Sequence, residues 1–597
     1  MARMDALTSH TFHIPVMGTG FTVDTALRVA RFGISSVCAL GDDTLLEQMR
    51  KYHMEALGLP YERIHPKSED ARARRVTAYL DFLGDEVARQ VKVLQALPFE
   101  PGSEITRYFE MLPDCPLKSD YYDMLGTTDP AERTRKEDAL RPRAVPGGVD
   151  VNIMAKADAD VFKGKEKLPP EYALAMSAMR GYAASKHDSS IVLSAGMNPR
   201  LYGLMGRLEP FFPTADGRLR KKIILKVSDY RSAEIQGKYL AKKGLWVSEY
   251  RIESGLNCGG HAFASDGYLL GPILEEFRKN RTALVETAFA FYVKGLAAHG
   301  ECPIPDEPSP QRITVQGGIG TADENEFLLK YYRLDGSGWG TPFLLVPETT
   351  NVDAAHIEKL TAATEKDVYL SDSSPFGVPF WTLRDSASEE GKRQRIASGK
   401  PGSPCTRGLL KLNNEYGEQS LCMASRAYLK RKLADLRGGT HTPEQLAALE
   451  ETALARACIC LDLAGGATVK HGIDPKAEPA ICCGPNIAYF SRTYSLEEMV
   501  SHIYGRIDLL ANTVRPHMFI NELSLYLDYM RKEVNKMSLE LSTRSPKYFT
   551  EFKANLRNGI DYYTGIAKEF AETQRERFLS ELDALAQELE TIPVPAG

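Results

Sequence analysis

No uninterrupted run of about 18 apolar residues occurs in this chain of 597, so a membrane-spanning helix is not expected. The first ten residues, Met-Ala-Arg-Met-Asp-Ala-Leu-Thr-Ser-His, lack the apolar core of a signal peptide, and the chain reads as cytoplasmic. Excess charge is missing too: a net of -5 gives no electrostatic case for nucleic acid as an obligate partner. Short basic runs such as Arg218-Leu-Arg-Lys-Lys222 read as solvated turns or helix faces. No internal repeat of roughly 20–50 residues is found. Cysteine is scarce where the fold is built, since only four of the ten lie in the first 400 residues. In a cytoplasmic chain such cysteines are read as thiols or metal ligands rather than disulfides.

What is present is an ordinary globular composition, 43% hydrophobic and 26% charged, in a chain too long for one core. Eight short β-rich runs can be read: His13–Gly18, Ile34–Leu40, Val149–Met154, Ile191–Ala195, Ile223–Val227, Leu245–Tyr250, Ile313–Gln316 and Gly340–Val346. Most are continuous blocks of Val, Ile or Leu, as in strands buried on both faces of a parallel sheet. Helix-like stretches alternate with them, which predicts an α/β protein, a (β/α)8 TIM barrel closing by about residue 385. The connection 42–146 is too long for one helix and reads as a helical insertion after strand 2, over one end of the barrel. Residues 386–404 are polar and read as a linker. Residues 405–597 read as a mainly helical extension, with a capping box at Ser495 and Glu498 and amphipathic stretches near 519–539 and 547–589. Their apolar faces pack on the body or, alternatively, make a homo-oligomer.

Two glycine turns carry the first chemical signal. Gly317, Gly318, Ile319 and Gly320 follow strand 7, and Gly340 and Thr341 sit at strand 8. Glycine lets the main chain approach a ligand closely, and the loops after strands 7 and 8 of a (β/α)8 barrel form a phosphate site. Tight turns without a ligand are the plain alternative. The second signal is Asn257-Cys-Gly-Gly-His-Ala-Phe263 after strand 6, where His261 would enter the barrel mouth. Histidine titrates near neutrality and can take a proton from carbon, although a lone histidine is more often structural.

These segments resemble the nitronate monooxygenase (2-nitropropane dioxygenase-like) family of FMN-dependent TIM barrels, which includes FMN-dependent enoyl reductases. The resemblance covers roughly residues 10–385. Gly259-Gly260-His261 is similar to that family's Gly-Gly-His segment, and the two glycine turns are similar to its FMN-phosphate loops. Asn152 falls where the family places a flavin-contacting Asn, and Lys226 where it places Gln or Lys. Met17-Gly18 resembles its Pro-Met segment without the Pro. The resemblance implies FMN, redox chemistry at the flavin ring, and His261 as base or polariser. It leaves open a small carbonyl, enoyl or nitronate-type substrate, an acyl chain on a carrier, or a flavin adaptor handing electrons to a partner protein. NAD(P)H or a redox protein would be the other partner.

The extension departs from that pattern. Cys405, Cys422, Cys458, Cys460, Cys482 and Cys483 crowd together in sequence without a compact ligand spacing. One ligand from each of four segments, Cys405, Cys422, Cys460 and Cys482, would suit a 4Fe-4S cluster relaying electrons to the flavin. Buried free thiols, or zinc, are the alternatives.

Overall fold

The computed structural model describes residues 10–594, apart from 156, 195, 258–265, 301, 406 and 511–513. Eight strands close into a parallel barrel: β1 (Phe12–Ile14), β2 (Ser35–Ala39), β3 (Val149–Ile153), β4 (Ser189–Leu193), β5 (Lys221–Val227), β6 (Val247–Glu253), β7 (Arg312–Gln316) and β8 (Gly336–Gly338). Each strand pairs in parallel with its neighbours in sequence, and β8 closes on β1. The expected (β/α)8 architecture is present. The eighth strand differs in position. Gly340–Val346 was expected to be that strand, but Gly336–Gly338 takes the place, and Thr341–Leu345 is a 3-10 turn whose apolar side chains are buried under the C-terminal region. Pro342 has no N–H for a ladder, which favours the turn.

Side-chain alternation separates two cores. Ile191, Leu193, Ile223, Leu225, Tyr250, Ile252, Ile313 and Val315 belong to the large core beneath the helices. Their inward neighbours Val37, Ala39, Val192 and Ile224 meet Val16 in a small apolar cluster inside the barrel. The opposite inner wall is polar. Arg251 pairs with Glu249 at 2.7 Å, and Thr314 donates to the same carboxylate at 2.6 Å. Burial works against the Glu249 charge, yet Arg251 and Arg312 hold its carboxyl down to about 2. His13 faces this wall, and burial followed by the nearby Arg251 lowers its imidazole to about 3. Gly338 is required here: a Cβ would lie 2.7 Å from the Gln316 Cβ and 2.8 Å from the His13 ring.

The insertion after β2 consists of α1 (Asp43–Ala56), α2 (Ala71–Ala96), α3 (Glu104–Met111), α4 (Pro116–Gly126) and α5 (Pro130–Leu140). Helix α3 lies at the N-terminal end of the barrel. There the Tyr108 hydroxyl accepts the Val145 N–H at 3.1 Å, just before β3, and its ring packs on Gly33, just before β2. That end is opposite the mouth formed by the C-terminal ends of the strands.

A hairpin, β9 (Val368–Ser371) with β10 (Phe380–Leu383), follows the barrel. The stretch expected as a linker contains a helix, Ala387–Ala397, with Ser388 and Glu389 buried. Ser388 donates to Asp462 at 2.5 Å, which ties the segment down despite its polar composition. The remainder is helical and includes α6 (Ile459–Lys470), α7 (Leu496–Ile503), α8 (Met518–Ser538) and α9 (Pro546–Ile566). The capping box expected at Ser495 and Glu498 opens α7. One stretch, Pro443–Lys470, is long and apolar enough to cross a bilayer; it is broken into two helices and is more than half buried in the protein.

Candidate functional site

The C-terminal region roofs the barrel mouth. After β1, the Gly20 N–H donates to the Leu463 carbonyl of α6 at 3.0 Å, and a Cβ on Gly20 would come within 2.8 Å of that oxygen. After β2, Arg407 pairs with Asp42 at 2.8 Å. After β6, Trp381 of β10 donates to the Gly255 carbonyl at 3.0 Å. Over β7, Asn486 donates to the Gly318 and Ile319 carbonyls at 3.0 and 2.8 Å, and after β8 the Gly484 N–H donates to the Thr341 hydroxyl at 2.9 Å. The extension is therefore part of whatever site the mouth holds.

The two glycine turns follow adjacent strands, since Gly338 is in register with Gln316. Gly317 and Gly318 have φ of +103° and +84°, the region that favours glycine. A Cβ on Gly317 would lie 2.8 Å from the Asn257 backbone, so the turn lies directly against the segment after β6. All the residues of both turns are buried. Among the described residues, the N–H groups of Gly318, Ile319 and Gly340 find no acceptor. Buried unpaired amides at two neighbouring strand ends fit a phosphate. Gly320 differs from the expectation: its N–H donates to Glu324 at 2.8 Å and is not free for a ligand. Glu324 also caps the helix Ala322–Tyr331, and the buried Arg515 holds its carboxyl below the usual range against the effect of burial. Arg515 further donates to the Gly318 carbonyl at 2.7 Å, so it fixes the turn from the roof side.

Around the mouth, Met17 is fully buried, its N–H donating to Thr22 at 3.2 Å, and Gly18 has a φ of +56°. The adjacent Thr19 hydroxyl is buried without a partner among the described residues, another polar atom suited to a ligand. Asn152 lies inside the barrel on β3 and donates to the Val192 carbonyl at 3.4 Å. Lys226, at the mouth end of β5, pairs with Glu253 of β6 at 2.9 Å. The same Glu253 oxygen accepts from Asn257 at 2.7 Å and Gln316 at 3.0 Å. Gly259, Gly260 and His261 lie outside the described residues, bounded by Asn257 and Asp266.

Glu253, Gln316 and Arg515 were missed from sequence. The alternation Glu249-Tyr-Arg-Ile-Glu253 carried the signal for the first, because period two puts all three charges on one face of the strand. Nothing local marks Arg515, whose partners lie 29, 191 and 197 positions away.

The expected metal set is not assembled. Among the described residues, no group of three or more His, Cys, Asp or Glu is arranged to hold a metal ion. Cys405 accepts the Gly408 N–H at 3.3 Å, and Cys460 packs against the small cluster of Leu410, Cys422 and Ala424. Cys482 is buried in the large core beside Cys483.

No family model matches this chain, and no curated protein matches it. Among solved structures, the chain is similar to the enoyl reductase domain of MlnA from the macrolactin biosynthesis cluster of Bacillus amyloliquefaciens. That match has 12% identity and a TM-score of 0.36, over 93% of this chain and 96% of that one. It is also similar to nitroalkane oxidase from Streptomyces ansochromogenes, with 11% identity and a TM-score of 0.35, over 84% and 97% of the two chains. An IMP dehydrogenase/GMP reductase-like protein from Corynebacterium glutamicum matches at 11% identity with a TM-score of 0.22, over 57% and 65%. Values this low carry no argument about chemistry. The barrel is established by its own strand pairing, and the site must be read from its residues.

Proposed function

We propose that this protein is an FMN-dependent oxidoreductase acting on a small carbonyl, enoyl or nitronate-type substrate, with NAD(P)H or a redox protein as electron donor or acceptor. The observation that carries the reading is the set of buried, unpaired N–H groups at Gly318, Ile319 and Gly340. In this reading they hold the FMN phosphate, with Gly317 and Arg515 fixing the shape of the turn. Bound FMN would supply two-electron redox chemistry at its ring. Asn152, Lys226 and the Thr19 hydroxyl offer the polar contacts of the mouth, and Glu253 holds the Lys226 ammonium in place. The roof covers the strand ends at the mouth, and a low-dielectric site there would strengthen each of these electrostatic contacts. His261 takes or returns the proton at the substrate carbon.

Titrating flavin-free protein with FMN and with riboflavin tests the phosphate assignment. A single hydrogen bond to a charged group contributes about 1.5–3 kcal/mol, so FMN is expected to bind at least about 10-fold more tightly. Equal affinities would remove the assignment. The His261→Ala variant should keep its flavin and lose turnover by roughly 100-fold or more. Unchanged turnover takes His261 out of the chemistry.

A further inference from the structure

Three successive carbonyls of the turn after β7 are held from the C-terminal region. Gly318 accepts from Arg515 at 2.7 Å and from Asn486 at 3.0 Å. Ile319 accepts from Asn486 at 2.8 Å, and Gly320 from His502 of α7 at 3.0 Å. Burial lowers the His502 imidazole, and in its neutral form Nδ1 accepts the Leu509 N–H at 3.3 Å while Nε2 donates to Gly320. The Asn486 amide has a defined orientation, because its oxygen accepts from Arg515 Nε at 3.0 Å. Asn486, Arg515 and His502 are all buried. Asn486 lies in a 3-10 turn, Pro485–Tyr489, and the preceding Gly484 donates to the Thr341 hydroxyl in the turn after β8. Residues 484–486 therefore touch both glycine turns and set the spacing between them.

The two peptide groups that Asn486 holds differ at their other ends. A trans peptide directs its C=O and N–H in opposite directions, and the described residues contain no cis bond. The Ile319–Gly320 peptide is engaged by the protein at both ends, its carbonyl by Asn486 and its N–H by Glu324 at 2.8 Å. The Gly318–Ile319 peptide is engaged at its carbonyl alone. Its N–H, that of Ile319, points away from Arg515 and Asn486 and finds no acceptor among the described residues.

We propose that Asn486 and Arg515 are positioning residues for the phosphate site, and that anion binding at the Ile319 amide and docking of the C-terminal region strengthen each other. The inference deepens the phosphate reading above and rests on it. Each side chain acts through the Gly318–Ile319 peptide rather than by contact with the ligand. A charge-assisted hydrogen bond at the N–H polarises that peptide and makes its carbonyl a better acceptor for Arg515 and Asn486. What the anion adds to those two bonds, the bonds add to the affinity for the anion. The site is thus shared between a barrel turn and side chains 168 and 197 positions further along the chain.

The test uses the full chain freed of flavin, with FMN and riboflavin as probes, because they differ only in the phosphate. At saturation with each, amide hydrogen exchange is read by mass spectrometry in peptides spanning residues 484–490 and 515–520. Slower exchange with FMN than with riboflavin is expected in both peptides, and equal exchange overturns the coupling. This comparison needs no variant, so it decides even if a substitution prevents folding. Asn486→Leu should lower the preference for FMN over riboflavin by at least about 10-fold, the effect of losing one hydrogen bond to a charged group, and keep riboflavin affinity. Lys470→Met is the matched control. Lys470 also reaches from the C-terminal region to two barrel-loop carbonyls, Pro347 at 2.9 Å and Thr350 at 2.6 Å, but neither lies in a glycine turn. It should keep the parent's preference. If Asn486→Leu keeps that preference in full, or Lys470→Met loses it equally, this inference is overturned and the phosphate reading stands. Equal affinities of the parent for FMN and riboflavin overturn both.

Discussion

Gly317→Ala is the most exacting perturbation of the proposed phosphate site, because two separate penalties meet at that residue. Its φ of +103° lies where a residue with a Cβ is strained, at about 1–3 kcal/mol. The added Cβ would also lie 2.8 Å from both the N and Cα of Asn257, so backbone rather than a flexible side-chain tip must move. Overpacking of that kind costs about 1–3 kcal/mol more. The combined loss of folding stability is then about 2–6 kcal/mol. Moving this turn also re-aims the Gly318 amide beside it. Losing that one contact to a phosphate weakens FMN binding by about 10- to 150-fold while leaving riboflavin little changed. Gly217→Ala is the matched control: it shares a positive φ, +79°, in a turn where a Cβ meets nothing within 4 Å. It should cost only the dihedral penalty, about 1–2 kcal/mol, and leave FMN affinity unchanged. Urea unfolding and flavin-fluorescence titration of both variants read the two effects. If Gly317→Ala is no less stable than Gly217→Ala, or binds FMN as the parent does, the reasoning about this turn is wrong.

Glu253→Gln should destabilise the protein by about 3–5 kcal/mol, because it leaves the Lys226 ammonium without its carboxylate in a buried pair. Adding Lys226→Met should recover much of that loss in urea unfolding; no recovery would mean that the pair is not the cause. Glu522 offers a pH test. Burial raises its carboxyl to about 7, although it accepts from the Leu270 N–H and the Tyr563 hydroxyl. An acid raised on folding binds its proton more tightly in the folded state. Its contribution is complete below the unfolded value of about 4.5 and is lost as pH rises through about 7. Glu522→Gln keeps an acceptor without that titration, so parent and variant should diverge in the variant's favour by roughly 2–3 kcal/mol between pH 4.5 and pH 8. Parallel stability curves over that range would refute this.

Much of the barrel was legible because its strands are buried on both faces, and apolar blocks ending in small or polar residues mark that situation. The eighth strand was misplaced for the same reason. Phe343–Val346 is as apolar as a buried strand, but its burial comes from the roof, and apolarity alone does not say what covers a segment. The glycine turns were readable because positive φ and close packing both demand glycine. Arg515 and the roof were not, since contacts over hundreds of residues leave no local pattern. The cysteines show the limit most clearly. Their density in sequence suggested a four-ligand set, but the fold sends Cys482 to the large core and Cys422 to a separate small cluster.

The central claim is that the buried amides of Gly318, Ile319 and Gly340 hold the phosphate of FMN. The most direct test is to denature the protein purified from its native source and to identify and quantify the released chromophore by mass spectrometry. Stoichiometric FMN, lost from the Gly317→Ala protein, is the result this account predicts. A protein without flavin, or one carrying a flavin that Gly317→Ala retains in full, would contradict it.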